Sequence, residues 1–166
     1  MIESLFFELA EADWKLEFAA DAIRVMLRHA QTGVKSRESV GQLYSRDLTM
    51  PTVLVEHATR LPPKAASWAR VQFDPKDALE ERQELFAQGL HCIGLWHTHP
   101  EPHPKPSCED KLLSRNYAIA AGHHVQGIVF VIDGTKPHPN GFRVWVDDGT
   151  DLKRASLMPA DIPFST

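Results

Sequence analysis

The sequence predicts an α/β fold, a mixed sheet with helices packed on it, and three observations carry that prediction. Short runs rich in valine, isoleucine and phenylalanine, VQGIVFVID and FRVWVDD above all, read as strands. Segments with apolar residues at helical spacing, such as AADAIRVMLRHAQ, alternate with them. PHPNG joins the last two strong strands in a hairpin-like turn, so crossovers and hairpins are combined in one chain.

In chain order, SLFFELA and WKLEF read as short strands. A helix follows with Ile23, Met26, Leu27 and Ala30 on one face, and Gly33 is its expected stop. Glu38 to Tyr44 is a strand in which Gly41 is expected to permit close backbone approach. PTVLVEH is a second strand, LPPKAAS a loop and WARVQF a returning strand. Asp74 as N-cap, Pro75 at the first helical position and Asp77 in the first turn start a second helix. Its face is marked by Leu79, Arg82, Phe86 and Leu90, and Gly89 ends it. HCIGLW is a buried strand, and Ser107 caps a helix running to about Ala121. The proline-rich LMPADIPFST is expected to be irregular.

The bulk properties exclude several function classes. A length of 166 residues suits one domain spanning 1–166. The net charge of −4 argues against a nucleic-acid or anionic-membrane partner. No apolar run approaches the roughly 18 residues of a membrane span, and MIESLFFELAEADW lacks the basic start of a signal peptide. With Cys92 and Cys108 the only cysteines, a disulfide framework is not expected, and a cytoplasmic location is.

The chemistry concentrates in GLWHTHPEPHPKPSCED, Gly94 to Asp110. Strand side chains alternate faces, so His91, Ile93, Leu95, His97 and His99 share one parity. Ile93 and Leu95 turn that face inward, which sends His97 and His99 out of the strand end on one side as a chelating pair. The alternating prolines stiffen the arm that follows and deliver Ser107 and Asp110 to a helix start. Two imidazoles and a carboxylate make three zinc ligands with a fourth position open for water. Such a site also needs a general base that is not a ligand. That base has to come from elsewhere in the chain.

The pattern H-T-H, seven residues, S-x-x-D resembles the signature of the JAMM (MPN+) zinc metalloproteases, which remove ubiquitin and ubiquitin-like proteins. The resemblance covers most of the chain. It implies a single MPN/JAB-like domain with a mixed, mostly antiparallel sheet flanked by helices. It implies one Zn2+ per chain held by His97, His99 and Asp110. E-S-V-G-Q-L, Glu38 to Leu43, is similar to the family's upstream glutamate segment, which makes Glu38 the preferred base over its rival Glu56 in the strand VLVEH. Ser107 is then expected to donate a hydrogen bond to the developing oxyanion as well as to cap its helix. The implied activity is an isopeptidase or peptidase cutting after the C-terminus of a ubiquitin-like protein. The run is most similar to bacterial JAMM peptidases encoded beside ubiquitin-transfer-like enzymes in antiphage operons. The implied partners are therefore a ubiquitin-like protein, its conjugates, and operon-encoded activating or conjugating-like enzymes, with no nucleic acid and no membrane.

Other residues are weighed against blander roles. Cys108 is expected to be a bystander thiol, and Cys92, of opposite parity to His97, a core residue. His103 is expected to be solvated, His123 and His124 have no assigned role, and Trp68, Trp96 and Trp145 read as packing. A zinc nucleoside deaminase would need H-x-E or C-x-E with P-C-x-x-C, and both are missing. A RadC-like DNA-associated protein shares the H-x-H-P and P-S-x-x-D stretches but fits the acidic balance poorly. A non-catalytic scaffold of the same fold would have lost a ligand or the glutamate, and none is lost.

Overall fold

The structure is a computed structural model that describes residues 1–30, 38–67, 70–122 and 126–159; side chains 64–67 and 70–72 lie outside the description. Strands β1 (Leu5–Glu8) and β2 (Lys15–Phe18) form an antiparallel pair, followed by helix α1 (Ala20–Arg28). Next come β3 (Val40–Ser45), β4 (Thr52–Val55), the short β5 (His57–Ala58), and the hairpin β6 (Pro63–Ser67) and β7 (Arg70–Phe73). Helix α2 (Pro75–Ala87), strand β8 (His91–Thr98) and helix α3 (Cys108–Ala121) lead to β9 (Ile128–Asp133), β10 (Phe142–Asp147), β11 (Leu152–Arg154) and β12 (Ser156–Leu157).

The central sheet has six strands in the order β11-β10-β9-β8-β3-β5, and a four-stranded sheet runs β12-β1-β2-β4. Among the described residues, only β8 with β9 and β2 with β4 pair in parallel, so the mixed, mostly antiparallel expectation holds. One face of the central sheet packs Trp96, Val131 and Val144 against Ile23 and Met26 of α1 and Phe7 and Phe18 of the smaller sheet. The other face packs Leu95, Phe130, Ile132 and Trp145 against Leu113 and Tyr117 of α3. With both faces covered, β8 is buried along nearly its whole length.

Glycine at 41 is a close-approach position, as expected: a Cβ there would stand 1.7 Å from the Thr59 carbonyl oxygen and 2.4 Å from Trp96 Nε1. Trp96 donates from Nε1 to that same carbonyl at 2.7 Å, which makes it a packing residue. Trp145 is buried core as well, while Trp68, His123 and His124 lie outside the described residues.

Several local expectations are corrected. Helix α1 ends at Arg28 rather than near Gly33, which lies outside the described residues. LPPKAAS is no loop, because Pro63–Ser67 pairs with Arg70–Phe73. The start of the C-terminal tail is ordered, since Leu157 pairs with Phe7 and the Met158 amide donates to Phe6 O at 2.8 Å. Residues 160–166 lie outside the described residues.

Helix α2 starts as read, with the Asp74 carboxylate accepting from the Lys76 amide and Gly89 at φ +82° past its end. Its buried face differs from the one marked by Leu79 and Phe86, which are 48% and 65% exposed. Ala78, Glu81 and Arg82 face the sheet instead. Gln42 of β3 is fully buried, and its amide donates to Glu81 Oε1 at 3.0 Å and accepts from Arg82 Nη1 at 2.7 Å. A buried amide has to be hydrogen-bonded, so polar satisfaction outranks the apolar stripe in setting the rotation of α2.

Candidate metal centre

The β8–β9 pairing carries the ligand strand to its working end. His97 lies beside Ile132, and one residue past β8 the His99 amide donates to Asp133 O at 2.9 Å. His97 and His99 leave the same side of the strand, with ring centroids 5.0 Å apart. The proline arm then returns the chain to α3. Its path is pinned where Thr135 N donates to Glu101 O at 2.9 Å and where Gly134, with no Cβ, lets Glu101 and Pro104 pack close.

At the start of α3 the capping box forms in both directions. Ser107 N donates to Asp110 Oδ2 at 2.8 Å, and Asp110 N donates to Ser107 Oγ at 3.1 Å. This fixes the Asp110 carboxylate with the same Oδ2 atom 3.6 Å from His97 Nε2 and 4.0 Å from His99 Nε2. Each of the three residues offers a ligand atom within 4.8 Å of the others.

The group fits a metal ion. Two ligands held at 2.0–2.1 Å by one tetrahedral ion stand about 3.4 Å apart, close to the His97–Asp110 separation of 3.6 Å. That separation is too long for a hydrogen bond. His97 Nε2, the nitrogen that faces Asp110, is buried without a hydrogen-bond partner among the described residues, an arrangement that is costly unless something else satisfies it. Burial holds the His97 imidazole down at about 4, with the Asp110 carboxylate pulling it up and the His99 ring pushing it down. Burial thus favours the neutral imidazole, the form a metal ligand requires.

Glu38 reaches this end of the sheet through the antiparallel β3–β8 pairing. Val40 stands opposite His97, and Ser39 and Thr98 bond twice: Ser39 N donates to Thr98 Oγ1 at 2.8 Å and Thr98 N to Ser39 O at 3.0 Å. Glu38, the residue before Ser39, therefore lies at the same end of the sheet as His97 and His99. Glu56, the other candidate base, is elsewhere, beyond the end of β4 in an ion pair with Arg46 at 2.8 Å.

Two residues were not singled out from the sequence. Glu101 places Oε1 3.7 Å from His99 Nδ1, near but beyond hydrogen-bond reach; its position two residues beyond His99 was the only available signal. Arg143, a strand residue far along the chain, binds His103 of the proline arm at 2.9 Å. His103 is exposed, as expected, but not merely solvated.

Cys92 departs from its expected face. A β-bulge opposite Leu43 and Tyr44 inserts Ile93, which turns Ile93 to the Trp96 side and Cys92 to the Leu95 side. Strict alternation from His91 to His97 therefore fails. The Cys92 thiol is half-buried, 3.8 Å from Gln42 Oε1, and desolvation pushes its pKa up to about 11, which disfavours the reactive thiolate.

The profile of prokaryotic homologs of the JAB domain matches residues 9–147. The chain belongs to this family. Among curated relatives, the histone deubiquitinase MYSM1 of Xenopus laevis is 26% identical over 140 residues, covering 82% of this JAB chain but only 17% of that protein. The desampylase of Haloferax volcanii is 30% identical over 102 residues, covering 58% of this chain and 70% of that one. A solution structure of a protein from Desulfitobacterium hafniense shares the fold, with a TM-score of 0.61 at 20% identity over 82% of this chain and 87% of that one. Among the described residues, the JAB chain has no helix long and apolar enough to cross a membrane.

Proposed function

We propose that this JAB chain is a zinc-dependent isopeptidase or peptidase that cuts after the C-terminus of a ubiquitin-like protein. The observation that carries the reading is the convergence of His97, His99 and Asp110, with a buried His97 Nε2 that no described residue satisfies. The relatives named deubiquitinase and desampylase support the same chemistry and the same class of partner. In this reading one Zn2+ is held by His97, His99 and Asp110, and when bound it supplies a Lewis acid that polarises the scissile carbonyl and acidifies water.

The chain's own residues do the rest. Glu38, at the same end of the sheet, takes a proton from the attacking water and delivers it to the leaving amine. Ser107 Oγ accepts from the Asp110 amide, a bond that does not use the hydroxyl proton. That proton is donated to the carbonyl oxygen as charge develops there. The Ser39–Thr98 bonds hold the base strand to the ligand strand. This geometry is set before substrate arrives.

The substrate reaches the site as a narrow extended tail with small residues at the cut, and its globular body supplies specificity from outside. Operon-encoded activating or conjugating-like enzymes are the expected companions, and the cytoplasm the expected location. The test offers a ubiquitin-like protein encoded beside this gene, fused to a reporter through its own tail, and the same tail as a free peptide. Efficient cleavage of the fusion with poor cleavage of the peptide supports the proposal. Equal cleavage of both would make the protein a general peptidase.

A further inference from the structure

A second polar site lies at the β10–β11 edge of the central sheet, with β10 two strands from the one that carries His97. Where the chain leaves β11 for β12, past the end of the β10–β11 pairing, a cavity of about 460 Å³ opens. Its polar lining includes Arg143, Arg154, Asn140 and Ser156, and Phe7 and Leu157 contribute apolar wall. Among the described residues, neither guanidinium forms an ion pair with a carboxylate, and Arg143 Nε is buried without a hydrogen-bond partner. Arg143 Nη2 donates to His103 Nδ1 at 2.9 Å. Lys136 stands close enough to hold the His103 imidazole below its ordinary range, with burial and Arg143 acting the same way. Burial, and then Arg154, likewise lower Arg143. Lys136, Arg143 and Arg154 therefore gather positive charge around one end of an otherwise acidic protein.

We propose that this cavity is a carboxylate-recognition subsite in which Arg143 and Arg154 receive an acidic side chain of the protein substrate. The register sets its place relative to the metal centre. His97 pairs beside Ile132, and Ile132 stands opposite Arg143. At about 4.8 Å per strand, Arg143 is about 10 Å from His97 across the sheet, roughly three residues of extended chain. Two guanidiniums in a small pocket suit one carboxylate on an apolar body. A polyanion such as nucleic acid needs a longer basic track, and the chain's net charge of −4 opposes it. The link through His103 couples the subsite to the arm that joins the metal ligands. The identity of the carrier as substrate rests on the peptidase reading, whereas carboxylate binding does not.

The experiment measures binding of fluorescein-labelled hexaglutamate to the purified chain by fluorescence anisotropy, with hexalysine and an oligothymidylate as parallel probes. Arg154→Gln and Arg143→Gln are each expected to weaken hexaglutamate binding about tenfold, as loss of a charge-assisted hydrogen bond implies. Arg143→Lys should restore part of the loss. Arg154 is exposed on an edge strand, so its variant keeps the fold even where Arg143→Gln does not; melting curves check both. Equal affinity for hexaglutamate in wild type and Arg154→Gln overturns the proposal. So does tighter binding of the oligothymidylate that the same substitutions abolish. With the ubiquitin-like fusion as substrate, Arg154→Gln should raise KM and leave kcat unchanged. A wild-type chain that binds hexaglutamate through these arginines yet cleaves no fusion would sink the peptidase reading and leave the subsite standing.

Discussion

Asp110 Oδ2 accepts a 2.8 Å hydrogen bond from the Ser107 amide and lies 3.6 Å from His97 Nε2, so one oxygen both closes a helix cap and faces a buried imidazole. A carboxylate oxygen has lone pairs for both tasks. Folding of the α3 N-terminus therefore builds the third corner of the candidate metal centre.

That dual use predicts a specific phenotype for Asp110→Ala. Metal content, read by inductively coupled plasma spectrometry, should fall to near zero, and thermal stability should also drop through the cap by about 1 kcal/mol. His99→Ala should lose the metal without the capping loss. Undiminished zinc in either variant removes that residue as a ligand. Chelation should abolish turnover, and alkylation of the exposed Cys108 should leave it intact.

Glu38→Gln should keep metal and fold while turnover drops by about 10²–10⁴-fold, the usual contribution of a general acid–base group. Glu56→Gln should be close to wild type, because Glu56 is engaged with Arg46 away from the metal centre. The reverse ranking in a steady-state assay would move the base to Glu56.

Ser107→Ala combines a loss of the cap with the loss of one donor. The expected effects are about 1 kcal/mol of stability and about 10²–10³ in kcat. Ser107→Thr, which keeps both the cap oxygen and the donor, should recover most of the stability, a split that calorimetry and kinetics together would resolve.

Asp133 makes a pH-dependent prediction. Burial raises its carboxyl from an ordinary 3.8 to about 7, and Oδ2 has no hydrogen-bond partner among the described residues. Its folded pKa lies above its unfolded one, so the folded chain binds the extra proton between those values. This group's contribution is intact below about 4 and is lost as pH rises toward 7. Asp133→Asn should therefore raise the thermal midpoint relative to wild type at pH 8 more than at pH 4.5. Equal shifts at the two pH values would contradict the assignment.

Gly41→Ala should destabilise strongly, since the new methyl would meet the Thr59 carbonyl at 1.7 Å and displace the Trp96 Nε1 bond to it. A cost of about 3 kcal/mol, at the upper end for overpacking, should appear as a lower denaturant midpoint.

Much of this protein was legible in the sequence because local chemistry encodes it. Period-two and helical spacing located β1, β2, β3 and β8 to β10. Asp74 with Pro75, and Ser107 with Asp110, marked the starts of α2 and α3, since caps satisfy backbone groups within a few residues. His97, His99 and Asp110 were readable as a set because strand parity and a stiff arm constrain them. Only the tertiary structure decided the rest. The bulge at Ile93 reversed the faces of Cys92 and Ile93, because register with β3 is a property of two strands and not of one. The buried Gln42 rotated α2 toward Glu81 and Arg82, since a polar group without water takes the nearest partner the fold supplies. Likewise, Glu38 was separated from Glu56 by strand pairing with β8, and Arg143 was brought to His103 by neighbours far away in sequence. Short-range signals fix which element a residue is in, but which residues meet depends on register and docking, and those are set by the packed whole.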